Sequence, residues 1–344
     1  MKELVEIIPR LRLECGDTLE HVPVAYRTWG RLAAAGDNAV VVCHALTGNA
    51  DVELWWPGLL GPGRALDTGR DFIICANILG SPYGSASPLT VNPATGLPYG
   101  ADFPVPTIRD TVALHRLLLE RLGVRHVQFV VGGSMGGMQA LEWAFHGELV
   151  GGIVPIACGG RHSAWCIGWS EAQRHAIVSD PSWCEGRYEA GGGPTHGLAT
   201  ARMIAMISYR SFESFATRFG RAVVDDAGAA RFAVETYLRH QGTKLVERFD
   251  ANCYVRLTQS MDVHDVARDR GDYFEVLSTI RQPTLDVGND TDVLYPLEEQ
   301  RELATHIPNA ELAVLESEHG HDAFLIEEDA VNAFITEWRR AALG

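Results

Sequence analysis

Residues 128–144 read QFVVGGSMGGMQALEWA, and one serine there, Ser134, stands among four glycines: Gly132, Gly133, Gly136 and Gly137. An apolar run precedes it and a helix-like run follows. Nothing bulky flanks the hydroxyl. Either the chain turns very tightly here, or another group must approach Ser134 closely, or both. Residues 132–136, GGSMG, satisfy the pattern G-x-S-x-G. In a nucleophile elbow that serine sits at the apex of a strand-to-helix turn. The helix amino end behind it offers free N–H groups to a developing negative oxygen.

The neighbouring sequence supplies the sheet that such an elbow needs. Near-continuous apolar runs recur at 39–46 (AVVVCHAL), 71–79 (DFIICANIL) and 126–133 (HVQFVVGG), then in LVGGIVPIAC, at 282–292 and at 310–321. Runs of this kind read as parallel strands covered on both faces. An earlier stretch, RLRLECGDTLEHVPVAYRTWG, alternates and predicts a β-ribbon. Helical spacing separates the strands. TIRDTVALHRLLLERLG (107–123) has an early Asp110 and a stop at Gly123. GGMQALEWAFH, PLEEQRELATHI and EDAVNAFITEWRRAAL follow the same logic. The class is α/β with a mainly parallel sheet and helices on both faces. Residues 160–281 break the rhythm with helix-like runs, among them GLATARMIAMISYRSFESFATRF and ARFAVETYLRHQGTKLVERF, and a glycine-rich link, CEGRYEAGGGPTHG. The expected organisation is a core in two parts, 1–159 and 282–344, with 160–281 as a helical insertion over the carboxyl ends of the strands.

Composition narrows the function. The chain has 344 residues, 29 Lys plus Arg against 44 Asp plus Glu, and a net charge of −15. That balance argues against nucleic acid and against an anionic membrane surface as partners. No apolar run approaches the roughly 20 residues of a membrane span. The start, MKELVEIIPRLRLECG, lacks the apolar segment of a signal peptide. Seven scattered cysteines without C-x-x-C spacing suit a reducing cytoplasm better than a disulfide framework. No metal site is expected: His44 has no companion at ligand spacing, and MDVHD lacks the paired histidines of a zinc helix.

A serine hydroxyl needs a base. A carboxylate and a histidine should each follow a later strand, in that order. DVGNDTDVLYP supplies Asp290 and Asp292, and ESEHGHDAF supplies His319, His321 and Asp322. The expected triad is Ser134, Asp292 and His321, with Asp290 and His319 shaping the loops. HALTG, after the strand at 39–46, supplies the second oxyanion donor, so the backbone N–H groups of Leu46 and Met135 would form the oxyanion hole. These parts give acyl transfer through an acyl-serine. They do not choose water or an alcohol as acceptor.

Further stretches carry a resemblance: WWPGLLGPGRALDT, NILGSPYGSASPLTVNP, FPVPTIRD, YRSFESFATRFGR and YLRHQGTKLVERFDANCYVRLTQSMDVHD. With HALTG, GGSMGGMQALEWA and GHDAF, they resemble the homoserine O-acyltransferases of the α/β-hydrolase fold over about residues 20–330. The resemblance implies ping-pong transfer of an acetyl group from acetyl-CoA, a co-substrate rather than a resident cofactor, to L-homoserine. It implies that Arg202 binds the substrate carboxylate, with Arg210 as the nearby alternative, and that Asp322 holds the amino group. It also implies methionine biosynthesis and a homodimer through the insertion, whose Met203, Ile204, Met206 and Ile207 look exposed. Where commoner bacterial members have GGCxGTTGP, this chain has GSPYGSASP at 80–88. L-Serine as acceptor and succinyl as donor therefore stay open, as does a plain esterase. A non-catalytic binding module would lack a triad member, and this chain lacks none.

Overall fold

The structure is a computed structural model that describes residues 3–189, 191–226 and 228–344. Six strands are β1 (Leu4–Arg12), β2 (Thr18–Gly30), β3 (Ala39–Cys43), β4 (Phe72–Ala76), β5 (Val127–Gly133) and β6 (Ile153–Ile156). A short ribbon follows, β7 (Val223–Asp226) with β8 (Ala229–Phe232), and then β9 (Thr284–Asn289) and β10 (Ala310–Leu315). Eight of them form one sheet in the order β1-β2-β4-β3-β5-β6-β9-β10. β1 and β2 are an antiparallel ribbon, β2 meets β4 antiparallel, and every pairing from β4 to β10 is parallel.

Burial follows the pleat. Val40, Val42, Ile73 and Cys75 enter one apolar cluster, and Val41, Cys43, Ile74 and Ala76 enter the other. Successive side chains point to opposite faces, so a strand covered on both must be apolar throughout. The helix Ile108–Leu122 begins at Thr107 with a reciprocal Thr107–Asp110 capping box and stops at Gly123, which takes φ 82°. A left-handed φ at that position is cheap only for glycine. The helix Met135–Trp143 is wholly buried behind β5.

Between β6 and β9 the chain leaves the sheet. Its two limbs meet at a neck where His162 N donates to the His264 carbonyl at 2.8 Å and Val266 N to the Gly160 carbonyl at 2.9 Å. Two details differ from the sequence expectation. The run beginning ARFAVE opens as strand β8 and becomes helical only at Ala233. GLATARMIAMISYRSFESFATRF is two helices, Thr195–Ser208 and Phe212–Phe219. Ser211 caps the second by accepting from Ser214 N, which lets the chain turn at Tyr209–Arg210. Of the apolar residues on the first helix, Met206 is buried within the chain and Ile207 is exposed. Residue 190 of the glycine-rich link lies outside the described residues. No helix among the described residues is long and apolar enough to cross a membrane.

The glycines around Ser134 are explained by space. A Cβ on Gly136 would strike the Cys43 carbonyl, and one on Gly133 the Phe324 ring. A Cβ on Gly132 would meet the Cys43 carbonyl oxygen at 2.6 Å, and one on Gly137 the Cys158 sulfur at 2.6 Å. Backbone cannot yield as a flexible side chain can. Gly136→Val should therefore destabilise the fold by about 2–3 kcal/mol or more. Gly168, on the exposed side of the helix Ala164–Val178, would carry a Cβ with no other atom within 4 Å. There Gly168→Ala should stabilise by about 0.5–1 kcal/mol. Thermal unfolding of both variants checks the pair; equal effects would remove the steric explanation.

Candidate active site

Ser134 stands at the end of β5 with φ 57° and ψ −124°. A non-glycine residue held there stores about 1–3 kcal/mol of strain. The surroundings fix it: Ser134 N donates to the Ile156 carbonyl at 2.8 Å, and the Ser134 carbonyl accepts from Gly137 N at 2.8 Å and Met138 N at 3.1 Å. Met135 is the first residue of the helix, so its N–H has no partner within that helix.

The second donor depends on a histidine. Ile78 N donates to His44 Nε2 at 3.1 Å, which assigns the proton to Nδ1. Nδ1–H in turn donates to the Ala45 carbonyl at 2.8 Å, and Gly48 N donates to the same oxygen at 2.9 Å. A trans peptide is planar, with C=O and N–H opposed. Pinning the Ala45 carbonyl therefore aims the Leu46 N–H the other way. Burial pushes His44 down to about 4, so the ring stays neutral and keeps this tautomer. Both ring nitrogens are used in holding backbone, which leaves His44 no lone pair for a metal.

Asp292 and His321 come from loops after β9 and β10. His321 Nδ1 donates to Asp292 Oδ2 at 2.8 Å. The other carboxylate oxygen accepts from Leu294 N at 2.8 Å and Tyr295 N at 3.0 Å. Burial alone would lower the His321 pKa, but the Asp292 charge and hydrogen bond, helped by Asp322, raise it above the ordinary histidine value. The rings of Tyr295, Tyr209 and Phe324 surround the imidazole at 5.2, 5.6 and 5.7 Å between centroids. Asp290 accepts from Ser317 N at 3.1 Å, and His319 lies 4.0 Å from Glu327, so both tie loops together.

One cavity of about 360 Å³ is lined by Ser134, His321, Asp322, Arg202 and Leu46 together. Six of the seven residues expected from the sequence thus have a placed side chain or loop in one site, counting Asp292 through its bond to His321, and Met135 contributes its backbone next to Ser134. The two candidate arginines separate. Arg210 Nε lies 3.2 Å from Asp322. Arg202 Nη1 is buried and has no hydrogen-bond partner among the described residues. Burial pushes the Asp322 carboxyl up, against the opposing pull of Arg210, His321 and Arg202. Sequence reasoning did not single out Tyr209, Tyr295, Phe324 or Arg248. Tyr209 was hidden inside an apparent helix, and Tyr295 had only its place three residues after Asp292 as a signal.

The family model for the alpha/beta hydrolase fold matches residues 38–328. Sheet order, elbow and histidine loop fit that class. A homoserine O-acetyltransferase of Salinibacter ruber is 61% identical over 337 residues, 96% of each chain. This chain belongs to the homoserine O-acetyltransferase family. Among solved structures, the homoserine O-acetyltransferase from Bacillus anthracis superposes with a TM-score of 0.91 at 24% identity, covering 100% of this chain and 98% of that one. Esterase E22 superposes with a TM-score of 0.90 at 26% identity, covering 98% and 99%. The shared fold by itself does not choose between acyl transfer and hydrolysis.

A base must be neutral to accept a proton. Acylation of Ser134 should therefore fall as pH drops through a midpoint above about 6.5, the ordinary histidine value. Asp292→Asn removes the charge that raises His321 and leaves burial to lower it. The midpoint should move to lower pH, and turnover should fall by about 10⁴-fold, as for the same change in a Ser-His-Asp hydrolase. Rapid-quench acylation rates against pH test both. An unmoved midpoint would mean that Asp292 does not govern His321.

Proposed function

We propose that the chain transfers an acetyl group from acetyl-CoA to the side-chain hydroxyl of L-homoserine through an acetyl-Ser134 intermediate. The arrangement that carries this reading is a nucleophile, a carboxylate-bound histidine, a half-buried arginine whose Nη1 has no hydrogen-bond partner among the described residues, and an anion around one cavity. His321 Nε2 takes the Ser134 proton as Oγ attacks the thioester carbon. The Leu46 and Met135 N–H groups receive the oxyanion, each worth roughly 3–4 kcal/mol in such sites. The tetrahedral species expels the thiolate, which takes the proton from His321, and CoA leaves. His321 then accepts the homoserine hydroxyl proton as that oxygen attacks the acyl-serine, and Ser134 departs reprotonated. Arg202 pairs with the amino acid's carboxylate and Asp322 with its ammonium. An amino acid carries one charge of each sign, and a water molecule carries neither, so the pair selects the acceptor.

Assembly as a homodimer through residues 160–281 belongs to the same reading. Phe212 at 80% exposure, Val223 at 59% and Trp165 at 55% are among the insertion's exposed apolar residues that support it. A reducing cytoplasm accords with seven cysteines that are all free.

Free CoA followed across a matrix of donors and acceptors tests the reaction. Acetyl-CoA with L-homoserine should be fastest. L-Serine, one methylene shorter, should be slower by about 10- to 200-fold, the usual worth of a methylene in a fitted pocket. Water matching homoserine would make the protein a hydrolase instead. Arg202→Ala should raise KM for homoserine by roughly 10- to 150-fold, the worth of a charge-assisted hydrogen bond, with far less effect on acetyl-CoA. Equal effects on the two substrates would assign the carboxylate to another arginine.

A further inference from the structure

The catalytic cavity has an apolar wall that transfer of an acetyl group does not need. Leu54 and Trp55 line it from the short helix Val52–Trp55, and Phe324 and Leu325 line it from the helical turn after His321. Acetyl asks only for a methyl-sized space beside the reacting carbonyl. We infer that this wall takes uncharged straight acyl chains longer than acetyl, so that propionyl and butyryl thioesters also serve as donors and yield the longer O-acyl-homoserines. The inference deepens the proposed acyl transfer and rests on it.

The wall begins at the nucleophile and ends in water. The Phe324 ring lies against Gly133, the residue before Ser134, so closely that a Cβ there would overlap it. The same ring is 5.7 Å from that of His321. Leu325 is half-buried, and Leu54 is 75% exposed. An apolar surface that runs out to solvent sets no fixed limit on chain length. It is also built in advance. Trp55 Nε1 donates to the Asn49 carbonyl at 3.0 Å, so the indole brings no unpaired polar atom to the wall. Trp56 packs 4.9 Å from Trp55 and edge-on to Phe324 at 6.2 Å between centroids, and its Nε1 donates to the Phe324 carbonyl at 2.8 Å. The two pieces of wall are thereby held to each other, and little ordering remains when a chain settles on them. Covering apolar surface that otherwise faces water is favourable.

Charge limits the chain that fits. The arginines in the lining, Arg202 and Arg248, belong to the insertion. Arg202 is claimed by the acceptor's carboxylate, and Arg248 Nη1 donates to the Thr47 carbonyl at 2.7 Å and to the Tyr83 hydroxyl. The wall residues themselves carry no charge, so a carboxylate at the end of an acyl chain would lose water there without gaining a partner. The steps balance as they do for acetyl. Ser134 Oγ bonds to the acyl carbon as the C–S bond breaks, and the serine proton passes through His321 to the thiolate. The homoserine oxygen then bonds to the same carbon, the bond to Oγ breaks, and the homoserine proton passes through His321 to Ser134.

Butyryl and succinyl groups have the same number of carbons and differ by a terminal carboxylate, so the pair separates length from charge. The test measures kcat/KM for acetyl-, propionyl-, butyryl- and succinyl-CoA with L-homoserine as acceptor, by CoA release, and confirms each product by mass. A pocket closed around a methyl group would cost about 10- to 200-fold for one added methylene. Butyryl-CoA should instead stay within about tenfold of acetyl-CoA, the lower edge of that range, and should exceed succinyl-CoA. Leu54→Asp, at an exposed position where a charge does not disturb the core, and Leu325→Ala should each lower the butyryl-to-acetyl ratio by about fourfold or more, the worth of a buried methylene. A butyryl value further below acetyl than that, a succinyl value above butyryl, or a ratio unmoved in both variants would overturn the inference. If acetyl-CoA and homoserine react while butyryl-CoA does not, the inference alone falls. Failure of the wild-type chain to use acetyl-CoA would remove the inference and the proposed function together.

Discussion

The site depends on one close approach, that of the backbone at Gly132 and Gly136 against the carbonyl of Cys43. Strand β3 ends there and β5 turns into its helix there. Because the two backbones touch, the loop that carries Leu46 and the turn at Ser134 line the same cavity. A single Cβ at Gly136 would separate them. The strained serine is held by the same contact, since its flanking strand and helix have nowhere else to go. About 1–3 kcal/mol of backbone strain is small beside the apolar burial of β5 and the helix behind it.

The expected oxyanion donor at Leu46 and the histidine are held by different means. On one side, neutral His44 and Gly48 fix a peptide plane. On the other, the turn between the two insertion helices presses on the histidine loop. Asp322 N donates to the Tyr209 carbonyl at 3.2 Å, and Ser211 Oγ donates to the Glu318 carbonyl. Gly320, at φ 64°, has no space for a side chain because the backbone of Arg210 and Ser211 lies against it. The insertion is thus a wall of the active site, and it brings the cations Arg202, Arg210 and Arg248 to a strongly acidic molecule.

Much of this was legible in the residues. The apolar runs gave six parallel strands because strands buried on both faces leave no other pattern. G-x-S-x-G, and a carboxylate and a histidine after later strands, pointed to Ser134, Asp292 and His321 because this fold, and not the chemistry, sets that chain order. What the sequence hid has physical causes as well. The break at Tyr209–Ser211 lies in residues with fair helix propensity, and it is set by the Ser211 cap together with the contact with the histidine loop, neither of which the apolar spacing reveals. Strand β8 is a short edge beside a strong helix, so its residues read as that helix. Arg202 and Arg210 are near neighbours in the chain and alike in charge. The pairing of Arg210 with Asp322 and the place of Arg202 in the cavity wall tell them apart.

The most direct test of the central claim is to mix the protein with acetyl-CoA alone, quench within milliseconds and map the acetyl group by peptide mass spectrometry. One acetyl group per chain should appear on the peptide carrying Ser134, with one equivalent of CoA released, and it should vanish when L-homoserine is added. Release of CoA only when homoserine is already present, with Ser134 never modified, would contradict the account.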